Sequence, residues 1–151
     1  MTRTLVLAAT ASLALAACSD TATVASGSAP TAESTATAAV MDTKTKAVLV
    51  YADWCGSCKA LDPKVSPIQE AGVPGVEFVT LDYTDRDEAD FYAQARAAGV
   101  EDAVRAKLDG TVKTGLLLLV DVDDDTVLDT VTKADSEADI RAKIDAALAQ
   151  S

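Results

Sequence analysis

Cys55 and Cys58 sit in the run Trp54-Cys55-Gly56-Ser57-Cys58-Lys59, directly after the apolar segment Ala47 to Ala52. With only Gly56 and Ser57 between them, two thiols on a first helical turn can meet at bonding distance and close a small ring. So short a loop stabilises little through the unfolded state, because that effect grows with loop length, and the bond is better suited to exchange than to bracing. A helix N-terminus also presents unpaired N–H groups and the positive end of the macrodipole, both of which favour a thiolate. The chemistry implied is redox exchange at a Cys55-Cys58 disulfide.

Other uses of the pair have to be weighed. The chain holds three cysteines, and Cys18 has a separate explanation near the amino terminus, which leaves one pair. Two buried structural thiols, or half of a metal site, are the alternatives. Structural zinc usually takes four Cys or His ligands, whereas this chain has no histidine and no second cysteine pair. A two-cysteine site would need carboxylates or a partner's ligands, so no metal and no cofactor is expected. The missing histidines also exclude Ser-His-Asp and Cys-His hydrolases, and no glycine-rich loop is present to cradle a phosphate. Asp121, Asp123 and Asp125 match the first alternating positions of a calcium loop, but Thr126 and Thr132 replace the required glycine and glutamate, so a charged hairpin turn is expected there.

Positioning the cysteines requires a strand before them and a helix after them. Ala47 to Ala52 is short, apolar and valine-rich, as for a strand buried on both faces. A helix is expected from Gly56 to about Ala71, interrupted near Pro63 and ended by Gly72 and Pro74, with a second strand at Val76 to Leu81. Thr84 or Asp85 can cap a helix from about Asp87 to Ala98, with Phe91, Ala95 and Ala98 inward and Gly99 stopping it. Leu116 to Val122 and Thr126 to Thr132 read as a hairpin. A last helix, Glu137 to Ala149, carries Ile140, Ile144 and Leu148 on one stripe. The order is βαβ followed by αββα, an α/β class.

This order, with Cys-x-x-Cys at a helix start, resembles the thioredoxin fold: a three-layer arrangement in which helices flank a central mixed sheet. Tyr51-Ala52-Asp53-Trp54-Cys55 with Cys58-Lys59 is most similar to the thioredoxin-like periplasmic domains of disulfide-reducing transmembrane electron carriers. The likeness is specific from Val48 to Pro63 and architectural elsewhere. It implies that Cys55 is the attacking thiolate, that Cys58 is the resolving thiol, and that Trp54 forms an apolar rim. Three departures stand out. The position of the family's cis-proline reads Thr114, before Gly115-Leu116. The buried acid beneath the second cysteine and its lysine partner read Leu49 and Thr80, which leaves Asp53 as a candidate for assisting proton transfer to Cys58. An insertion, Glu101 to Gly110, precedes Thr114; Val104 and Leu108 are spaced for an extra helical turn or two beside the active site, shaping partner choice or simply packing.

The amino terminus supplies an address. Arg3 followed by the apolar run Leu5 to Ala17 is too short to span a bilayer, which takes roughly 20 residues, and reads as an export signal over residues 1–17. Leu15-Ala16-Ala17-Cys18 resembles a bacterial lipobox, which implies lipidation of Cys18 and anchoring of the mature chain to a membrane. Residues 18–46 are dominated by Ala, Ser and Thr and cannot bury enough surface to fold, so a flexible tether is expected. Residues 47–151 form the domain, enough for one compact core. The net charge of −11 argues against nucleic acid, whose phosphates need Lys and Arg.

The function expected is a membrane-tethered thiol–disulfide oxidoreductase, with a reductase favoured, on an exported bacterial lipoprotein facing the periplasm or the cell surface. Its partners would be exported protein thiols and disulfides and a transmembrane electron donor, and the chain is expected to be a monomer. The rival is a metal-binding module that holds a soft ion such as Cu(I) on the same two cysteines without turnover.

Overall fold

The computed structural model describes residues 42–151. The export signal, Cys18 and all but the last few residues of the tether lie outside the described residues. Eight elements follow in order: β1 (Thr45–Tyr51), α1 (Gly56–Ala71), β2 (Val76–Asp82), α2 (Glu88–Ala97), α3 (Glu101–Leu108), β3 (Leu116–Asp121), β4 (Thr126–Thr132) and α4 (Glu137–Leu148). They build a four-stranded sheet in the order β2-β1-β3-β4. β1 runs parallel to β2 and antiparallel to β3, and β4 is antiparallel to β3.

The two central strands are β1 and β3, and both faces of each are covered. This is why their sequences, Ala47 to Val50 and Leu117 to Val120, are continuous apolar runs rather than alternating ones. On one face Val48, Val50, Leu118 and Val120 meet Phe91 and Ala95 of α2 and Val104 and Leu108 of α3. On the other, Ala47, Leu49, Leu117 and Leu119 meet Leu61, Val65 and Ile68 of α1 and Ile140 and Ile144 of α4. Each fully buried leucine or isoleucine contributes about 1.5–3 kcal/mol relative to exposure, so this sandwich holds the end of β1 in place. The insertion is α3, whose buried Ala103, Val104 and Leu108 close the core against α2 and β4.

Two local expectations are corrected. Helix α1 is continuous through Pro63 and does not break there. Pro63 and Pro67 stand one turn apart on its solvent side, so the backbone groups that each proline leaves unpaired face water, which can satisfy them. The cap of α2 is Asp87, not Thr84 or Asp85: its Oδ1 accepts from the Ala89 and Asp90 N–H groups at 2.9 and 3.1 Å. Arg86, in the left-handed region at φ 59°, turns the chain between them and frees Thr84 for another task.

The Asp121-Asp123-Asp125 segment is a hairpin turn. Asp121 Oδ1 accepts from the Asp123 and Asp124 N–H groups at 2.8 and 3.1 Å, and these bonds, the Asp124 one foremost, hold its carboxyl below the usual carboxylate range.

Candidate active site

The site grows from the end of β1. Its last residues emerge at the C-terminal edge of the sheet, where Ala52 is buried and its carbonyl accepts the Cys55 N–H at 3.0 Å, turning the chain into α1. Cys55 is the N-cap of α1, with an extended backbone (φ −82°, ψ 108°), and its Sγ accepts the Cys58 N–H at 3.1 Å. A thiolate at Cys55 therefore receives a charge-assisted hydrogen bond and the helix dipole, and the first turn of α1 carries no acidic residue to oppose it.

Cys55 and Cys58 are joined as a disulfide with Cα atoms 5.3 Å apart. Cys55 is 6% exposed and Cys58 1%. The outer sulfur is thus the one an incoming group can reach, and the inner one waits beneath it. Cys58 Sγ lies 3.7 Å from the Val50 carbonyl oxygen, so on reduction its thiol has a backbone acceptor within reach.

Leu49 is buried among the aliphatic side chains of α1 and α4 and pairs across the ladder with Thr80. The two positions that read as a missing acid and its missing cation are therefore cross-strand neighbours. Asp53 is exposed, and its Oδ1 accepts from the Tyr51 hydroxyl at 3.0 Å. That bond, followed by burial and the nearby charges of Asp53, Asp62 and Asp82, raises the Tyr51 phenol above its ordinary value. Tyr51 in turn packs against the cluster formed by Ala52, Cys55 and Cys58.

Trp54 is 47% exposed and forms the outer rim. The β2–α2 loop holds it: its Nε1 donates to the Thr84 carbonyl at 2.9 Å, and the Asp53 N–H donates to Thr84 Oγ1 at 3.1 Å. Thr84 is fixed from behind, its N–H and its hydroxyl both donating to Asp82 Oδ1 at 2.8 and 2.5 Å. The Tyr83 ring meets Trp54 edge-on at 6.4 Å.

Residues 28–98 match the thioredoxin family model. The thioredoxin match runs from within the Ala/Ser/Thr-rich segment through β1, α1, β2 and α2, and so includes Cys55 and Cys58. No curated protein matches the chain. The thioredoxin-like fold is completed beyond the matched segment by β3, β4 and α4, and together with the Cys-x-x-Cys pair it supports thiol–disulfide oxidoreductase chemistry.

One residue of this thioredoxin-like site was missed by reading the sequence as a contributor in its own right: Gly115. Its N–H donates to the Val50 carbonyl at 2.8 Å, extending the β1–β3 ladder by one rung to the carbonyl that Cys58 Sγ approaches. Its φ is +82°, and a Cβ built on it would stand 2.5 Å from Ser57 Cβ and 3.3 Å from both Cys55 Sγ and the Cys58 nitrogen. Only glycine fits this wall of the site, both for its backbone angle and for its distance from the disulfide. Thr114, which the resemblance puts in the place of the family's proline, immediately precedes it and lies beyond the matched residues 28–98. The signal in the sequence was a glycine directly ahead of an apolar strand; what it faces depends on the β1–β3 register.

Proposed function

We propose that this protein is a membrane-tethered thiol–disulfide oxidoreductase that works as a reductase on exported proteins. The observation that carries the reading is Cys55 at the N-cap of α1, its sulfur receiving the Cys58 N–H while bonded to a more deeply buried resolving cysteine. The reaction follows from that order. In the reduced protein the Cys55 thiolate attacks one sulfur of a substrate disulfide; the Cys55–substrate bond forms, and the second substrate sulfur leaves as a thiolate that takes a proton from water. Cys58 gives its proton to water and its thiolate attacks the Cys55 sulfur. The Cys55–Cys58 bond forms, the first substrate sulfur leaves as a thiolate that takes a proton from water, and the two electrons of the protein dithiol now reside in the substrate dithiol.

Regeneration requires a dithiol donor, for which a transmembrane electron carrier is the natural class, given the likeness of Tyr51 to Lys59 to the domains that such carriers use. The lipobox-like Leu15 to Cys18 supports a lipid anchor, with the Ala/Ser/Thr-rich segment as the link to the domain. Gly56-Ser57 differs little from the Gly-Pro that reducing thioredoxins carry between their cysteines, and this likeness supports the reducing direction.

The test is a redox titration of the full chain in graded glutathione buffers under nitrogen, with free thiols at Cys55 and Cys58 counted by maleimide gel shift. A reversible two-electron transition near or below about −250 mV supports a reductase, and one near about −120 mV would make the protein an oxidase. Thiols protected only until a chelator is added would replace this reading with the metal-binding module.

A further inference from the structure

The β2–α2 loop carries one feature that exchange chemistry does not use. Arg86 sits in the left-handed backbone region at φ 59°, where a residue with a long side chain is uncommon, and such positions gather at functional sites. The turn is closed by the Arg86 N–H donating to the Tyr83 carbonyl at 3.2 Å, and it swings the side chain back over the active-site rim. The guanidinium carbon stands 4.5 Å from the centre of the Trp54 ring.

This placement leaves the cation available. A guanidinium lying over an aromatic ring engages one face, while its N–H donors point outward in the plane, where a carboxylate can be held by two parallel hydrogen bonds. Among the described residues Arg86 enters no ion pair: the pairs involve Lys46, Arg96, Arg105, Arg141 and Lys143. Two nearby carboxylates are engaged elsewhere, Asp82 by Thr84 and Asp87 by the first turn of α2. Asp85 is exposed beside it. In a chain of net charge −11, an exposed cation without an ionic partner, braced on the tryptophan that precedes the attacking cysteine, calls for an explanation.

We propose that Arg86 on Trp54 is a specificity-determining platform that selects polypeptide substrates carrying a carboxylate side chain close to the disulfide under attack. The inference deepens the oxidoreductase reading and rests on it. Trp54 supplies apolar contact to the substrate chain next to its cysteine, and Arg86 pairs with the carboxylate one or two residues further on, so the pair acts on substrate binding rather than on sulfur exchange.

The experiment uses the full chain with dithiothreitol as reductant and three disulfide-bonded peptides identical except for Glu, Gln or Lys beside one cysteine. The expected kcat/KM for the Glu peptide exceeds that for the Lys peptide by about three- to fivefold at low salt, the upper part of the range of an exposed ion pair, and the difference lies in KM. Added salt erases it. Arg86→Gln removes the preference and Arg86→Lys retains part of it, with the circular dichroism of both variants confirming the fold. Equal rates on the Glu and Lys peptides, a preference for Lys, or a preference that survives Arg86→Gln would overturn the assignment while leaving the oxidoreductase reading in place. Failure to accelerate reduction of any peptide, the Gln one included, above the rate with dithiothreitol alone would overturn that reading and the assignment with it.

Discussion

Replacing Gly115 with alanine tests how closely the start of β3 approaches the disulfide. Two separate costs are involved. The first is conformational: φ is +82°, and an L side chain in the left-handed region costs about 1–2 kcal/mol, partly offset by the less flexible unfolded chain. The second is steric. The new Cβ would stand 2.5 Å from Ser57 Cβ and 3.3 Å from Cys55 Sγ, closer than carbon atoms pack, and relieving it means shifting either the first turn of α1 or the β1–β3 ladder. Overpacking of this kind costs about 1–3 kcal/mol. Gly110 supplies the control, since its φ is +73° and a Cβ there meets nothing within 4 Å. Gly110→Ala should therefore cost about 1 kcal/mol, and Gly115→Ala about 2–4 kcal/mol. Urea unfolding of the oxidised full chain, followed by circular dichroism with the slope checked for constancy, gives both values. If the two substitutions cost the same within about 0.5 kcal/mol, the close approach of Gly115 to Ser57 and Cys55 is wrong, and with it the account of how β3 walls the site.

Two further outcomes concern protons. With no histidine in the chain, the pH dependence of exchange with a neutral aromatic disulfide between about pH 5 and 9 should be a single ionisation belonging to Cys55, its midpoint below the roughly 8.5 of a free cysteine because of the Cys58 N–H and the α1 dipole; a midpoint at or above that value would contradict the N-cap geometry. Stability should fall in acid: Glu101 (through Arg96 and Arg105), Asp121 (through the Asp124 and Asp123 N–H groups), Asp135 (through the Thr132 N–H and Lys143) and Asp139 (through Ser136) are all held below their ordinary values. The folded state then binds fewer protons than the unfolded one, so this stabilisation is complete above about pH 5, beyond the unfolded carboxylate values near 4, and is lost as pH falls through and below them; urea midpoints that stay level from pH 6 to about 3 would refute it.

How much could be read from the chain alone follows the range of the interactions. The Cys55–Cys58 pair, its place at the head of α1, the buried strand before it and the stripe of Ile140 and Ile144 on α4 are set by neighbours within a turn or a few strand residues. Local periodicity and the reactivity of thiols at a helix N-terminus were therefore enough to find them, and with them the fold class. The proline-bearing α1 was misjudged because whether Pro63 breaks a helix depends on which side meets water. The cap of α2 was misplaced because Thr84, a plausible cap by type, is drawn away to Trp54 and Asp53, an attachment between two loops that no local pattern displays.

The sequence by itself determined the reactive pair, the burial on both faces of the strand that precedes it and the acidity that disfavours nucleic acid, because each depends on residue type and short spacing. Only the tertiary structure decided that Gly115 lies against Cys55, that Leu49 faces Thr80, that Thr84 holds Trp54 and that Arg86 covers Trp54. These contacts depend on strand register and on how two loops meet at one edge of the sheet. That geometry is chosen by the burial of both sheet faces at once, a condition no single stretch of chain contains.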